Sequence, residues 1–265
     1  MENERNIKEI VKEKYGEIAL NNNKTASCCS SGSCCGSSES VMYENYDGLN
    51  GYNPEADLGL GCGLPTKFAK IKKGDTVVDL GSGAGNDCFV ARAEVGDSGK
   101  VIGVDFTPEM IQTAKENVKR RGFINVEFIH GDIDNIPLEA NLADVIVSNC
   151  VLNLVPNKKA VFNEIYRVLK PNGHFSISDI VLMGELPEKI KNAVEMYSGC
   201  VSGAIKKDEY LEYIKEAGFK GIVIQKETAI IIPDNELKNY LDESEIKIYR
   251  KNPEIIKSIT VYAEK

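Results

Sequence analysis

Two sets of residues in this 265-residue chain have types and spacing that could do chemistry. The first is thiols. Eight cysteines stand as Cys28-Cys29, Cys34-Cys35, Cys62, Cys88, Cys150 and Cys200. Thiolates are nucleophiles, redox partners and ligands for soft or borderline centres. The second set is the run Asp79-Leu80-Gly81-Ser82-Gly83-Ala84-Gly85, an acidic residue followed by glycines at alternate positions. Such glycines let the backbone turn tightly and come close to a ligand. Asp105 and Asp132 each follow a β-rich run and can accept hydrogen bonds from a bound molecule. General-base chemistry has little to draw on. The chain has two histidines, His130 and His174, each placed within or at the start of a strand pattern where a structural role is the simpler reading.

These residues need a scaffold, and the patterning provides one. Strand patterns cover 76–81, 100–106, 125–132, 143–151 and 174–182. Helix patterns fall between them at 86–95, 108–122 and 157–173. The second helix has Pro at its first turn and Gly just past its end; the third is read as stopped by Pro171 and Gly173. Alternation of this kind implies right-handed βαβ units and a parallel sheet. The fold class expected is α/β, a doubly wound, Rossmann-like, mostly parallel sheet with a small C-terminal α+β extension. Residues 1–40 should hold an amphipathic helix over 5–19 and a flexible Cys-rich segment. Residues 41–183 should form the main domain, entered through a Gly-rich loop or lid. Residues 184–265 should form a C-terminal region with helices at 187–198 and 207–217, one long strand at 221–233, a polar excursion over 234–256 and a last strand at 258–264. Those last strands could complete the sheet.

Composition narrows the role. A formal charge of -8 argues against gripping nucleic-acid phosphates or anionic lipid. No apolar run approaches the roughly 18 residues of a membrane helix, and the charged first residues lack a signal-peptide core. A cytoplasmic monomer is the expectation. In a reducing compartment the thiols are better read as ligands, redox partners or packing groups than as static disulfides.

The glycine spacing then separates cofactor classes. A dinucleotide fingerprint would put its third glycine at position 86, where Asn86 stands. The G-x-G-x-G form after an aspartate resembles the first motif of class I S-adenosylmethionine-dependent methyltransferases. By that resemblance S-adenosylmethionine is the cofactor, and no metal cofactor is expected. Asp79, Gly81, Ser82, Gly83 and Gly85 would form its loop. Asp105 would accept from the ribose hydroxyls, and Thr107 and Met110 would pack on ribose and adenine. Asp132 would lie near the adenine amine with Ile133 against the ring, and Asn149 would meet the methionine moiety.

The cysteines bear on the methyl acceptor. Cys88, inside the helix after the loop, reads as a small buried group. Cys150 follows Asn149 at the carboxyl end of the fourth strand, where a substrate must lie. Cys62 and Cys200 sit in Gly-rich stretches with no evident packing reason. Zinc would call for four ligands with C-x₂₋₄-C spacing, which these positions lack. A trivalent arsenic centre takes three thiolates and keeps a lone pair that needs no base. The stretches GLGCGLP (59–65), DLGSGAGNDC (79–88), SNCVLNLVPNK (148–158), YRVLKPNG (166–173), FSISDIV (175–181), LPE (186–188) and SGCVSGA (198–204) resemble the arsenite methyltransferase family.

That resemblance implies methylation of arsenite, or of its thiol conjugates. Cys150 and Cys200 would hold arsenic throughout, and Cys62 would complete the three-thiolate set. Cys28 or Cys29 would form a disulfide during re-reduction, with thioredoxin or glutathione as reductant. Cys34-Cys35 has no assigned role. Two other readings stand beside it: a methyltransferase for a small organic acceptor such as a quinone or lipid precursor, and a non-catalytic thiol-based metalloid-binding protein.

Overall fold

The structure is a computed structural model that describes Glu9, residues 11–13, 15–20 and 44–191, Val201, and residues 203–265. Its centre is one seven-stranded sheet of order β3-β2-β1-β4-β5-β7-β6. β1 (Thr76–Leu80), β2 (Lys100–Asp105), β3 (Val126–His130), β4 (Ala143–Asn149) and β5 (Leu169–Leu182) are mutually parallel. β7 (Ile256–Glu264) runs antiparallel between β5 and β6 (Lys220–Ala229). The expected fold class is the one observed, and the two C-terminal strands do complete the sheet.

The parallel strands are buried on both faces, which is why they read as apolar runs. Successive residues of β1 point to opposite sides. Val78 and Leu80 join Ile146, Phe162, Ile165, Phe175 and Tyr210 on one face. Val77 joins Cys88, Phe89, Val101, Val145 and Val147 on the other. The covering helices are α1 (Pro65–Phe68), α2 (Asn86–Val95), α3 (Pro108–Arg121), α4 (Lys158–Val168), α5 (Glu188–Lys191) and α6 (Lys207–Glu216). α3 opens on Pro108 and closes on Gly122, whose φ of 68° turns its N–H back onto two helix carbonyls. Residues 11–13 and 15–20 are helical as well.

Several boundaries differ from the sequence expectation. The helix expected over 157–173 ends at Val168, and β5 begins at once. Pro171 has no N–H for the ladder, so pairing with β4 jumps from Ala143–Leu169 to Val145–His174 across a bulge. The fourth strand stops at Asn149 because Cys150 takes a left-handed φ of 61°. The third is trimmed to Val126–His130. The strand expected over 221–233 ends at Ala229. The polar excursion after it contains two short helices, α7 (Asp234–Leu237) and α8 (Glu243–Tyr249), the latter fixed by an Asp242–Glu245 capping box. Helix 187–198 is seen as α5, with residues 192–198 outside the described part.

β1 and β4 are neighbours whose connections leave in opposite directions along the sheet. That is a topological switch point, and ligands of open α/β sheets bind in the crevice beyond the strand carboxyl ends there.

Candidate active site

A cleft opens at this switch point. Asp79, Gly81, Ser82 and Gly83 line it from the β1–α2 turn, Asp105, Thr107 and Met110 from the end of β2, Asp132 and Ile133 from the end of β3, and Asn149 and Cys150 from the end of β4. Residues proposed from four separate stretches of sequence therefore meet in one place. Gly85 is set back from the lining as the N-cap of α2, with φ at 100°. Gly81 must be glycine. Its φ is 70°, and a Cβ there would stand 2.3 Å from a methyl of Val151.

Asp105 is held by its neighbours. The amides of Gly83 and Thr107 donate to its two carboxylate oxygens at 2.9 and 2.8 Å. Each oxygen keeps a lone pair for a ligand hydroxyl. The hydroxyl of Ser82 is buried and has no hydrogen-bond partner within the protein. Ile133, Thr107 and Met110 are buried, whereas Asp132 sits exposed at the rim.

The sequence reading missed a second layer of this wall. Tyr46 and Asp87 also line the cleft. The Tyr46 hydroxyl and the Asn149 amide donate to Asp87 Oδ2 at 2.7 and 3.2 Å, and Thr66 donates to Oδ1 at 3.3 Å. Burial pushes Asp87 up to about 6 against the pull of these donors. Burial, then the charge of Asp87, holds Asp79 well above the usual carboxylate range. Burial raises Asp105 too, opposed by its amide donors. Lys, Arg and His are not among the described residues that line the cleft. A pocket rich in desolvated carboxylates and lacking cationic side chains favours a cationic ligand. Asp87 was visible in the sequence as an acidic residue in the first turn after the glycine loop. Tyr46 carried no local signal.

The opposite side of the cleft carries sulfur. Cys150 and Cys62 are both buried, neither is in a disulfide, and they share one apolar cluster with Leu154, Ile180, Leu182 and Val201. Cys150 lines the cleft itself, and its N–H donates to Ser178 O at 2.8 Å. Cys62 hangs from Asn149, whose Oδ1 accepts its N–H at 3.0 Å. The Asn149 amide, expected to face a ligand, is thus engaged with the 61–63 loop. Val201, which follows Cys200, is buried in the same cluster; Cys200 itself, with Cys28, Cys29, Cys34 and Cys35, lies outside the described residues. Cys88 packs on the far face of the sheet with its Sγ 3.3 Å from Asp79 Oδ2. The Nε2 atoms of His130 and His174 meet the carbonyls of Phe106 and Ala69, and neither ring lines the cleft.

A sheet of this order with a glycine loop and acidic strand ends at its switch point defines a class I methyltransferase domain. Residues 71–218 match a family described as a methyltransferase domain. More specifically, the chain belongs to the arsenite methyltransferase family. It is 42% identical over 228 residues to the arsenite methyltransferase of Halobacterium salinarum, covering 82% of this chain and 58% of that protein. It is 34% identical over 246 residues to the arsenite methyltransferase of Aquipseudomonas alcaligenes, covering 89% and 68%. The crystal structure of an arsenic(III) S-adenosylmethionine methyltransferase from Chlamydomonas reinhardtii superposes with a TM-score of 0.65 at 32% identity, covering 77% of this chain and 67% of that one. The chain therefore spans between about half and two thirds of the length of such relatives.

Proposed function

We propose that this chain methylates trivalent arsenic with S-adenosylmethionine as donor. One observation carries the reading: Cys150 lines the same cleft as Asp79, Gly81 and Asp105, with Cys62 in the adjoining apolar cluster. The names of the relatives agree with it.

The cleft suits the donor. Asp105 has acceptor capacity for two ribose hydroxyls, the orphaned Ser82 hydroxyl awaits a polar group, and the buried carboxylates favour a cation. When bound, S-adenosylmethionine supplies an electrophilic methyl group that the lone pair of a thiolate-held arsenic can take without a base. Gly81, Gly83 and Asp105 would bind and orient it, and Met110, Thr107 and Ile133 would exclude water around the adenosine. Asp132 at the rim would meet the adenine amine.

Arsenite, free or as a thiol conjugate, would exchange its hydroxyls or carrier thiols for Cys62, Cys150 and Cys200. Three fixed thiolates leave the lone pair in one direction, so the protein contributes chiefly orientation, worth roughly 7–11 kcal/mol when reacting atoms are well aligned. Methylation takes arsenic formally from the trivalent to the pentavalent state. Two thiolates, Cys62 with Cys28 or Cys29, would return the electron pair by closing a disulfide. Thioredoxin or glutathione would then reopen it by exchange. Among the described residues no helix is long and apolar enough to cross a membrane, and the thiol chemistry suits the cytoplasm.

The test is product speciation after incubation with arsenite, S-adenosylmethionine and a thiol reductant. Methylated arsenicals are expected, and Cys62→Ser should damage the first methylation more than the second, because a monomethylated arsenic needs two thiolates. Absence of methylated arsenic from folded, cofactor-binding protein would overturn the proposal.

A further inference from the structure

The 61–63 loop is fastened to the end of β4 by a single side chain. Asn149 Oδ1 accepts from Cys62 N at 3.0 Å, and Asn149 Nδ2 donates to Gly63 O at 2.8 Å. The amide orientation follows from chemistry: Cys62 offers a donor and Gly63 an acceptor, so only one flip serves both. The other Nδ2 hydrogen is shared between the Tyr46 hydroxyl at 2.6 Å and Asp87 Oδ2 at 3.2 Å, and that hydroxyl in turn donates to Asp87 at 2.7 Å. Burial and the charge of Asp87 push the Tyr46 hydroxyl well above its usual range, so it stays a donor. The far side of the loop is pinned by Ser258, whose hydroxyl donates to Cys62 O at 2.5 Å.

The glycines flanking Cys62 have a reason in this contact. A Cβ at Gly61 would stand 2.6 Å from Asn149 Nδ2, and a Cβ at Gly63 would stand 2.5 Å from Ser178 Oγ. Only glycine lets the loop press onto the ends of β4 and β5. Asn149 is also the residue before Cys150. One side chain at the end of β4 thus fixes the backbone of one thiol while its own backbone leads into the other.

We propose that Asn149 is a positioning residue for the methyl acceptor. With Tyr46 and Asp87 behind it, it clamps the Gly61-Cys62-Gly63 loop so that the Cys62 thiol is held beside Cys150. This rests on the reading of Cys62 as an arsenic ligand, but the clamp itself is a claim about the loop. It gives Asn149 a role on the acceptor side of the cleft. It also gives Tyr46 a part in setting thiol geometry, through Asn149.

Two variants break the clamp in different ways. Asn149→Ala removes the amide; Gly61→Ala keeps the amide and wedges the loop away from it. In both, Cys62 should be alkylated by iodoacetamide roughly 10-fold faster or more, the scale of a lost buried hydrogen-bond pair, while Cys88 in the same protein stays protected as a check on folding. The first methylation, measured with arsenite, should fall much more than the second, measured with monomethylated trivalent arsenic. S-adenosylmethionine affinity by calorimetry should hold in Gly61→Ala, which keeps the Asn149 amide. Unchanged Cys62 labelling in either variant overturns the clamp. So does a Gly61→Ala variant whose two methylation steps fall equally. If Cys62→Ser left arsenite methylation intact, the arsenic-ligand reading would fail, and the labelling rates would still decide the clamp.

Discussion

The two sides of the cleft are built by different rules. On the donor side, the contacts that fix Asp105 join residues of one strand–turn–helix unit or of adjacent units. Gly83 N reaches Asp105 across 22 positions, and Thr107 N reaches it across two. On the acceptor side the partners are far apart in the chain. Asn149 holds Cys62 across 87 positions, and Ser258 holds it across 196. The donor site comes with the doubly wound fold, as the general rule for switch points requires. The acceptor site is assembled from loops that the sheet merely anchors. Two sites built this way should be separable by mutation.

Cys150→Ser is the strongest attempt to separate them. Cys150 is the one described thiol that lines the cleft, so its loss should reduce both methylation steps on the order of 10²-fold or more, the cost of misplacing a reacting centre. Cofactor affinity, measured by calorimetry, should not change. A variant that lost both together would show that the two sides are one structural unit. The converse change is Asp105→Asn, which removes a charged acceptor from the donor side. It should weaken S-adenosylmethionine binding by about 10–100-fold, the scale of hydrogen bonds to a charged group. Arsenite-dependent quenching of tyrosine fluorescence should survive; the chain has no tryptophan to obscure it.

The same contrast explains what could be read from sequence. Asp79, the glycines and Asp105 declared themselves because a local run encodes a local turn. The parallel, doubly wound sheet followed from the alternation of strand and helix patterns. The Asn149 clamp did not, because nothing near residue 149 announces a partner at residue 62. Asn149 was read as facing a ligand from its place at a strand end, and it does line the cleft; strand-end position says nothing about the amide's partners within the protein. Tyr46 was hidden for the same reason. The stretch 166–173 misled in another way. Pro171 and Gly173 look like a helix stop, yet the helix had ended at Val168, and the proline marks a bulge in the strand that follows.

The smallest effect expected is in the pH dependence of stability, and it sharpens the comparison most. Asp87 on the donor side is raised from 3.8 to about 6, chiefly by burial. Asp179 on β5 is raised from 3.8 to about 7, also by burial, with Lys158 opposing. It is buried beside the acceptor side, accepting from Asn153 at 2.8 Å and from Tyr210 at 3.3 Å. A carboxyl group whose folded value lies above its unfolded one stabilises the fold at low pH. That contribution is lost as pH rises through the folded value. The ligand-free protein should therefore melt at progressively lower temperature between about pH 4 and pH 7 on account of these two groups. Acid expansion from other charges is a separate effect, and Asp87→Asn and Asp179→Asn each subtract one group's share. The two shares should respond differently to ligand. A bound sulfonium cation favours ionised Asp87, so S-adenosylmethionine should raise the melting temperature more above Asp87's folded value than below it. Asp179 faces Asn153, Tyr210 and Lys158, and its share should persist in the complex. Equal suppression of both by the cofactor would mean that the donor and acceptor sides are coupled through the end of β4 after all.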